Sequence, residues 1–435
     1  MLHFRKARLC ARGFEELQDF RTDSPTCSRE GIRSLLAIVA ANSWTLNSLD
    51  VRTAFLQGKD LERSILVKPP KECNTDKLWK LNKCVYGLAD ASRYWYLKLA
   101  EELHRLGAKS CKLDQGLFLW FKGDSLLGTA GCFVDDILWA GCPEFNDIMI
   151  DFRKQFKIRS EHSEAFTYIG MNLTQLPDKS IRIDQESYIN SINLIELSAD
   201  DAKEPCKLLN EQQRSYLRGS IGQLNWIAGM SRPEINFSVS EISSRINIAT
   251  ISDIKKVNKI VKFVKNNPTH ILFPNLNQDK LHLKAFSDAS YNNLHDGGSQ
   301  GGHIVFLCDD KGNSAPIIWN SSRIKRVVRS TLAAETLECS DACDSASFMS
   351  LMLGEFLRPH QRNIKIEVYT DSKSLHDAAH TTNLVTERML RVDMSAIREL
   401  INAEKVTLHR VSSSNELADV LTKRKVHPHE HWSKY

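Results

Sequence analysis

Phe133-Val134-Asp135-Asp136-Ile137-Leu138 sets two adjacent carboxylates inside an apolar run. Charge left unpartnered among apolar side chains is expensive, so the pair calls for solvent or for a cation. The flanking runs, 126–134 and 137–140, are short and separated only by Asp135-Asp136, which predicts a hairpin with a charged tip. Taken alone, the hexapeptide reads equally as a solvated turn or as a divalent-cation site. Asp50 changes the balance. It lies at the end of a strand candidate, 44–51, that one sheet can bring alongside the hairpin tip. Three carboxylates gathered there suit two hard cations that activate a hydroxyl and stabilise a leaving pyrophosphate. By itself Asp50 reads as a strand-end or helix-capping residue.

Around this stretch, 31–41 predicts an amphipathic helix, and 91–106 another, with Trp95, Leu99, Leu103 and Leu106 at helical spacing. The 435 residues (49.5 kDa) are too many for one core and predict two or three domains. Hydrophobic residues at 42% and charged residues at 26% exclude a disordered chain, a fibre and a membrane bundle. The longest apolar run, Leu35 to Ala41, is far below the roughly 20 residues a bilayer span needs. The first residues are charged rather than an apolar leader, so an intracellular protein without a signal peptide is expected. Eleven Cys without any Cys-x-x-Cys read as reduced thiols, not a disulfide frame or a zinc site. Net charge is only +5, but basic residues crowd at 5–12, 255–265 and 323–329, which suggests a polyanion contacted in several places. Each of these clusters alone reads equally as a solvated face.

Residues 176–275 read as mostly helical, with helices over 217–228 and 234–246. A third helix sets Ile254, Val257, Val261 and Val264 on one face and Lys255, Lys259 and Lys262 on another. Asn266-Asn267-Pro268 ends it, and 275–279 is the best linker candidate. From 281 onward, strands (281–286, 304–308, 317–320, 364–370, 406–411) alternate with helices (331–353, 387–401, 416–421). The pattern predicts an α/β unit with mixed strands. This unit carries a second acid set, Asp288, Glu335, Asp371 and Asp419, separated by 47, 36 and 48 residues. Four carboxylates converging on one face, around two cations, suit in-line hydrolysis of a phosphodiester by a metal-bound water. Singly, Asp371 reads as a helix cap and Asp419 as a surface acid.

Lys6 to Phe14, Leu49 to Gly58, Val85-Tyr-Gly-Leu88 and Phe133-Val-Asp-Asp136 succeed one another in an order that resembles reverse transcriptases of Ty1/copia-type retrotransposons. Ser231 to Ile235 and Ala418 to Lys423 resemble later segments of the same polyprotein, and the second acid set resembles that of ribonuclease H. The resemblance implies a right-hand polymerase, with fingers and palm at 1–175 and a helical thumb and connection at 176–280. A mixed-sheet ribonuclease H-like α/β domain at 281–425 and a tail at 426–435 complete the α+β and α/β multidomain chain. It implies that Asp50, Asp135 and Asp136, and separately Asp288, Glu335, Asp371 and Asp419, are metal ligands and catalytic residues, with two Mg2+ or Mn2+ ions per site. Arg8, Arg12, Phe55, Tyr86 and Gly87 would contact the incoming nucleotide or template, Phe55 as a gate against the 2′-hydroxyl. Lys255, Lys259 and Lys262 would follow nucleic-acid phosphates. Implied partners are an RNA template, a DNA primer, deoxynucleoside triphosphates and an RNA–DNA hybrid, with no membrane. The rival reading is a non-catalytic or nuclease-only relic that binds nucleic acid. One departure from the family pattern is Ala89-Asp90 after Tyr-Gly-Leu, which sets an acid where phosphates are expected to pass.

Overall fold

The predicted hairpin forms, and a six-stranded sheet is built on it. The computed structural model describes residues 9–16, 19–357 and 364–423. The chain divides into two compact units, Met1–Leu35 with Trp44–Glu164, and Leu36–Ser43 with Ala165–Tyr435.

The elements up to residue 164 are α1 (Arg29–Ala41), β1 (Asn47–Val51), α2 (Ala54–Gln57), β2 (Asp60–Val67), β3 (Trp79–Lys83), α3 (Ala91–Arg105), β4 (Lys109–Ser110), β5 (Leu117–Lys122), β6 (Ser125–Phe133), β7 (Asp136–Gly141), α4 (Phe145–Gln155) and β8 (Ile158–Ser163). The large sheet runs β4-β5-β6-β7-β1-β8, and β2 pairs with β3 in a separate ribbon. The hairpin tip is Val134-Asp135 rather than Asp135-Asp136, because Phe133 pairs with Asp136 and places Asp136 inside β7. The helix at 31–41 is not amphipathic in use: Ile32 and 35–40 are all buried, so its apolar stripe closes into a full circumference. In α3, Trp95, Leu99 and Leu103 enter the core as their spacing predicts. Gly128 and Gly141 leave room for the Phe145 ring, since a Cβ at either would lie 2.4 Å from it. That bare strip seats α4 on the sheet.

The second unit begins with β9 (Ala165–Tyr168), β10 (Met171–Gln175) and β11 (Ile181–Asp184). It continues through α5 (Glu186–Ser191), α6 (Ala199–Lys203), α7 (Glu211–Met230), α8 (Asn236–Ser244), α9 (Ile251–Asn266) and β12 (Ile271–Phe273). Residues 176–275 are mostly helical, as their pattern predicts, and the short strands β11 and β12 join β10 and β9 in a four-stranded sheet, β12-β11-β10-β9. Capping boxes at Asn210/Gln213 and Thr250/Asp253 start α7 and α9. The Ile254, Val257, Val261 and Val264 stripe of α9 is buried with the apolar faces of α7 and α8.

The rest of this unit comprises β13 (His282–Ser290), β14 (Gln300–Cys308), β15 (Ser314–Arg323), α10 (Thr331–Phe356), β16 (Lys365–Thr370), α11 (Lys373–Ala379), α12 (Arg391–Asn402) and β17 (Val406–Arg410). The sheet order is β15-β14-β13-β16-β17. The first three strands pair antiparallel, whereas β13–β16 and β16–β17 are parallel. The short helix expected at 416–421 is a 3₁₀ turn over Leu417–Leu421. The linker candidate at 275–279 is bound to the fold: Leu276 is buried and the Asn277 amide donates to Asp309 Oδ2 at 3.1 Å. The indole of Trp319 on β15 donates to the Ala228 carbonyl of α7 at 2.8 Å, tying the helical stretch to the mixed sheet. Among the described residues, no helix is long and apolar enough to cross a membrane.

Candidate active sites

In the first unit, antiparallel pairing of β1 with β7 sets Asp50 directly opposite Asp136. Asp135 sits on the hairpin tip, its carbonyl accepting from the Val51 amide at 2.9 Å. Val134 adopts φ 56, a conformation unfavourable for a β-branched residue. The Trp95 indole donates to the Val134 carbonyl at 2.6 Å and holds that turn. Thr53, just beyond Asp50, is also left-handed at φ 49. Strained backbone thus gathers on both sides of the acids, as it does at sites where a fixed geometry matters. Burial pushes Asp136 up to about 6, with Asp135 and Asp50 adding to the shift and Arg159 opposing it. Arg159 on β8 donates to Asp50 Oδ2 at 2.8 Å, while Asp50 Oδ1 is buried without a hydrogen-bond partner.

Phe55 and Tyr86 meet with ring centroids 4.8 Å apart. The Tyr86 and Gly87 carbonyls accept from the Ala11 and Gly13 amides at 2.7 and 3.0 Å. Gly87 is obligatory here: its φ is 93, and a Cβ would lie 2.0 Å from the Ala11 carbonyl oxygen. Arg12 therefore lies on a segment held against Tyr86-Gly87, its exposed guanidinium 3.2 Å from Glu15 Oε1. Arg8 lies outside the described residues. Asp90 is not on any open path. It is 2% exposed and gripped through both oxygens by Arg63, at 2.9 and 3.0 Å. The expected acid among the phosphates is instead half of a buried ion pair.

In the second unit, Asp288 on β13, Glu335 on α10 and Asp371 just after β16 bring carboxylate oxygens within 4.8 Å of one another. Among the described residues no other such group of three is found. Burial first, then Asp288 and Asp371, push Glu335 up to about 9. Burial also raises Asp288, against the pull of Lys423 and Thr422. Glu335 Oε2 is buried with no hydrogen-bond partner. An orphaned oxygen inside a trio of acids has the donor chemistry of a hard-cation site. Asp419 joins through Lys423, which pairs with both Asp419 and Asp288. The Thr422 hydroxyl donates to Asp288 Oδ2 and the Ser413 hydroxyl to Asp371 Oδ2. On α9, Lys255, Lys259 and Lys262 are exposed on one face.

Sequence reasoning missed Arg159, Lys423, Thr422 and Glu416. Glu416 is buried beside Asp288, Asp371 and Asp419, all of which raise it after burial itself. Its Oε1 accepts from the Ala418 amide at 3.1 Å. The available signal for Lys423 was its place four residues after Asp419, one helical turn on.

Residues 3–203 match the family model described as "Reverse transcriptase (RNA-dependent DNA polymerase)". The chain is 27% identical over 440 residues to the retrovirus-related Pol polyprotein from transposon RE1 of Arabidopsis thaliana, covering 96% of this chain and 29% of that one. It is 25% identical to the corresponding polyprotein from transposon TNT 1-94 of Nicotiana tabacum, covering 96% and 33%. The transposon Ty1-LR2 Gag-Pol polyprotein of Saccharomyces cerevisiae is 22% identical, covering 96% and 25%. The chain thus spans a third or less of the length of these curated relatives. Among solved structures, a foamy viral protease-reverse transcriptase in complex with RNA/DNA hybrid superposes with a TM-score of 0.51 at 13% identity. That match covers 88% of this chain and 45% of the viral one, so the fold is shared. With its motifs in the family's order and the similarity running over nearly its whole length, the chain resembles a stretch of the Pol polyproteins of Ty1/copia-type retrotransposons, and residues 3–203 match the reverse transcriptase family model.

Proposed function

We propose that the chain is an RNA-directed DNA polymerase with a linked ribonuclease H. Residues 1–175 would act as fingers and palm, 176–280 as thumb and connection, and 281–425 as nuclease. The observation that carries the reading is that each compact unit gathers its own set of acids, with an orphaned buried oxygen in each. Asp50, Asp135 and Asp136 would hold cations at one site, and Asp288, Glu335, Asp371 and Asp419 at the other. Divalent Mg2+ or Mn2+ supplies charge neutralisation on the phosphate and a more acidic hydroxyl or water. The strained turn at Val134 fixes where Asp135 points, and Arg159 steers Asp50. Phe55, braced by Tyr86, stands as the gate against a ribose 2′-hydroxyl, with Arg12 and Gly87 on the two segments that hydrogen-bond beside it. The exposed Lys255, Lys259 and Lys262 suit the phosphates of a template–primer or hybrid, which binding read across salt should reveal as a steep slope.

The test is primer extension with deoxynucleoside triphosphates and cleavage of a labelled RNA–DNA hybrid, on parent, Asp135→Asn and Glu335→Gln. Asp135→Asn should lose extension by at least about a hundredfold and keep cleavage, and Glu335→Gln should do the reverse. Loss of both activities in either folded variant sinks the two-site reading. A nuclease-only reading is favoured by one observation: the tight trio of acids is in the second unit. A parent that cleaves but never extends would establish it, and a parent that does neither would leave a relic.

A further inference from the structure

We propose that Lys423 is the resident counter-cation of the nuclease carboxylates and sets the divalent-cation concentration at which they load. The inference rests on the nuclease reading above and concerns the regulation of that site. Lys423 pairs with Asp419 one helical turn before it, and its Nζ lies 3.5 Å from Asp288 Oδ2. Those two acids belong to different elements, the 3₁₀ turn at 417–421 and β13, so the ammonium bridges them. The same Asp288 oxygen also accepts from Thr422, which presses the C-terminal turn against the strand.

The pairing has a cost and a use. Asp288, Glu335 and Asp371 bring carboxylate oxygens within 4.8 Å of one another, and burial, then Asp288, Asp371 and Asp419, raise Glu416. Lys423 is a cation acting on both Asp288 and Glu335. A divalent cation at the trio must take Asp288 oxygens, and an ammonium already within 3.5 Å of one of them repels it and competes for the lone pairs. Lysine suits a yielding counter-ion. Its charge rides on a flexible four-carbon stem, and this side chain is 36% exposed, so it can withdraw into water. A guanidinium, with its fixed fork, would hold the carboxylates more stubbornly. Lys423 thus keeps the acids from repelling one another while the metal is scarce and gives way as the metal rises. It is a positioning residue, because it acts through the carboxylates and not on the reacting phosphate.

The test is a calorimetric titration of the whole chain with Mn2+, comparing parent, Lys423→Met and Lys423→Arg. Glu335→Gln is the blank that removes the nuclease-site heat. Lys423→Met should bind nuclease-site Mn2+ about tenfold more tightly, equivalent to about 1.4 kcal/mol. Lys423→Arg should bind equally or more weakly than the parent. In chelator, Lys423→Met should melt lower than the parent, and it should gain more on adding Mn2+. Lys423→Gln, which keeps a hydrogen-bond donor without charge, carries the same expectation if the methionine variant does not fold. Affinity that is unchanged or weaker in the neutral variants overturns the inference alone. A parent whose titration matches the Glu335→Gln blank overturns the metal-dependent nuclease reading and this inference with it, so the two failures are distinguishable.

Discussion

Glu335 is where chemistry and protonation meet most directly. Held up to about 9 by burial and two neighbouring acids, it keeps its proton at neutral pH, and a cation must displace that proton. Mn2+ binding at the second site should therefore release a proton at about pH 7.5 and tighten as pH rises toward about 9. Titrations in two buffers of different ionisation heat would read this release, and Glu335→Gln should lack it. The sign for folding is the opposite. A carboxyl raised above its ordinary 4.5 contributes stability that is fully present below that value and is lost as pH rises through about 9. With chelator present, the parent should lose stability over that window relative to Glu335→Gln. Phe55 yields a steric forecast. Its ring rests on Tyr86 with centroids 4.8 Å apart, so Phe55→Ala should remove bulk and raise ribonucleotide incorporation by an extending enzyme. An unchanged preference for deoxynucleotides would reject the gate. The acids themselves were legible because paired charge inside an apolar run is costly and therefore conspicuous. Their basic partners were less so: Lys423 offered only its place four residues after Asp419, and nothing in spacing singles out Arg159 among 58 basic residues.

At the scale of elements, the ribbon of β2 and β3 is coupled to the start of α3 through one ion pair. Arg63 on β2 holds the buried Asp90 through two hydrogen bonds and reaches Glu16 at 3.1 Å. Arg63→Met leaves that carboxylate buried and unpaired, which should cost about 3 kcal/mol and be read as a lower denaturation midpoint. A double change, Arg63→Met with Asp90→Leu, should recover most of the loss, and a failure to recover would mean that the pair does more than neutralise itself. In the sequence, Asp90 looked like an acid facing phosphate because its partner lies 27 residues away. The same blindness to distance hid the sheet of β9 to β12. Those strands are three to five residues long, too short for an alternating pattern to stand out from the helices around them. By contrast α9 and the strand pair β6–β7 were legible, because their apolar spacing repeats several times within one element.

For the molecule as a whole, the order of motifs spoke for the family, while the division of the chain depended on packing that no motif records. The first unit ends near residue 164, and everything from 165 onward shares one compact body with 36–43. A boundary drawn at 275–279 agrees with composition, but Leu276 and Asn277 are fastened there. The Trp319 indole bears on any attempt to express the mixed-sheet part alone. A piece begun at residue 280 would leave behind the Ala228 carbonyl that this indole bonds and the helical roof around it. It would present a bare tryptophan to water, with the red-shifted fluorescence and poor solubility that such an opened face brings. The shorter recombinant product should be the worse one to purify, whereas a start near residue 165 keeps the helices around Trp319 and leaves out only 36–43 of that compact body.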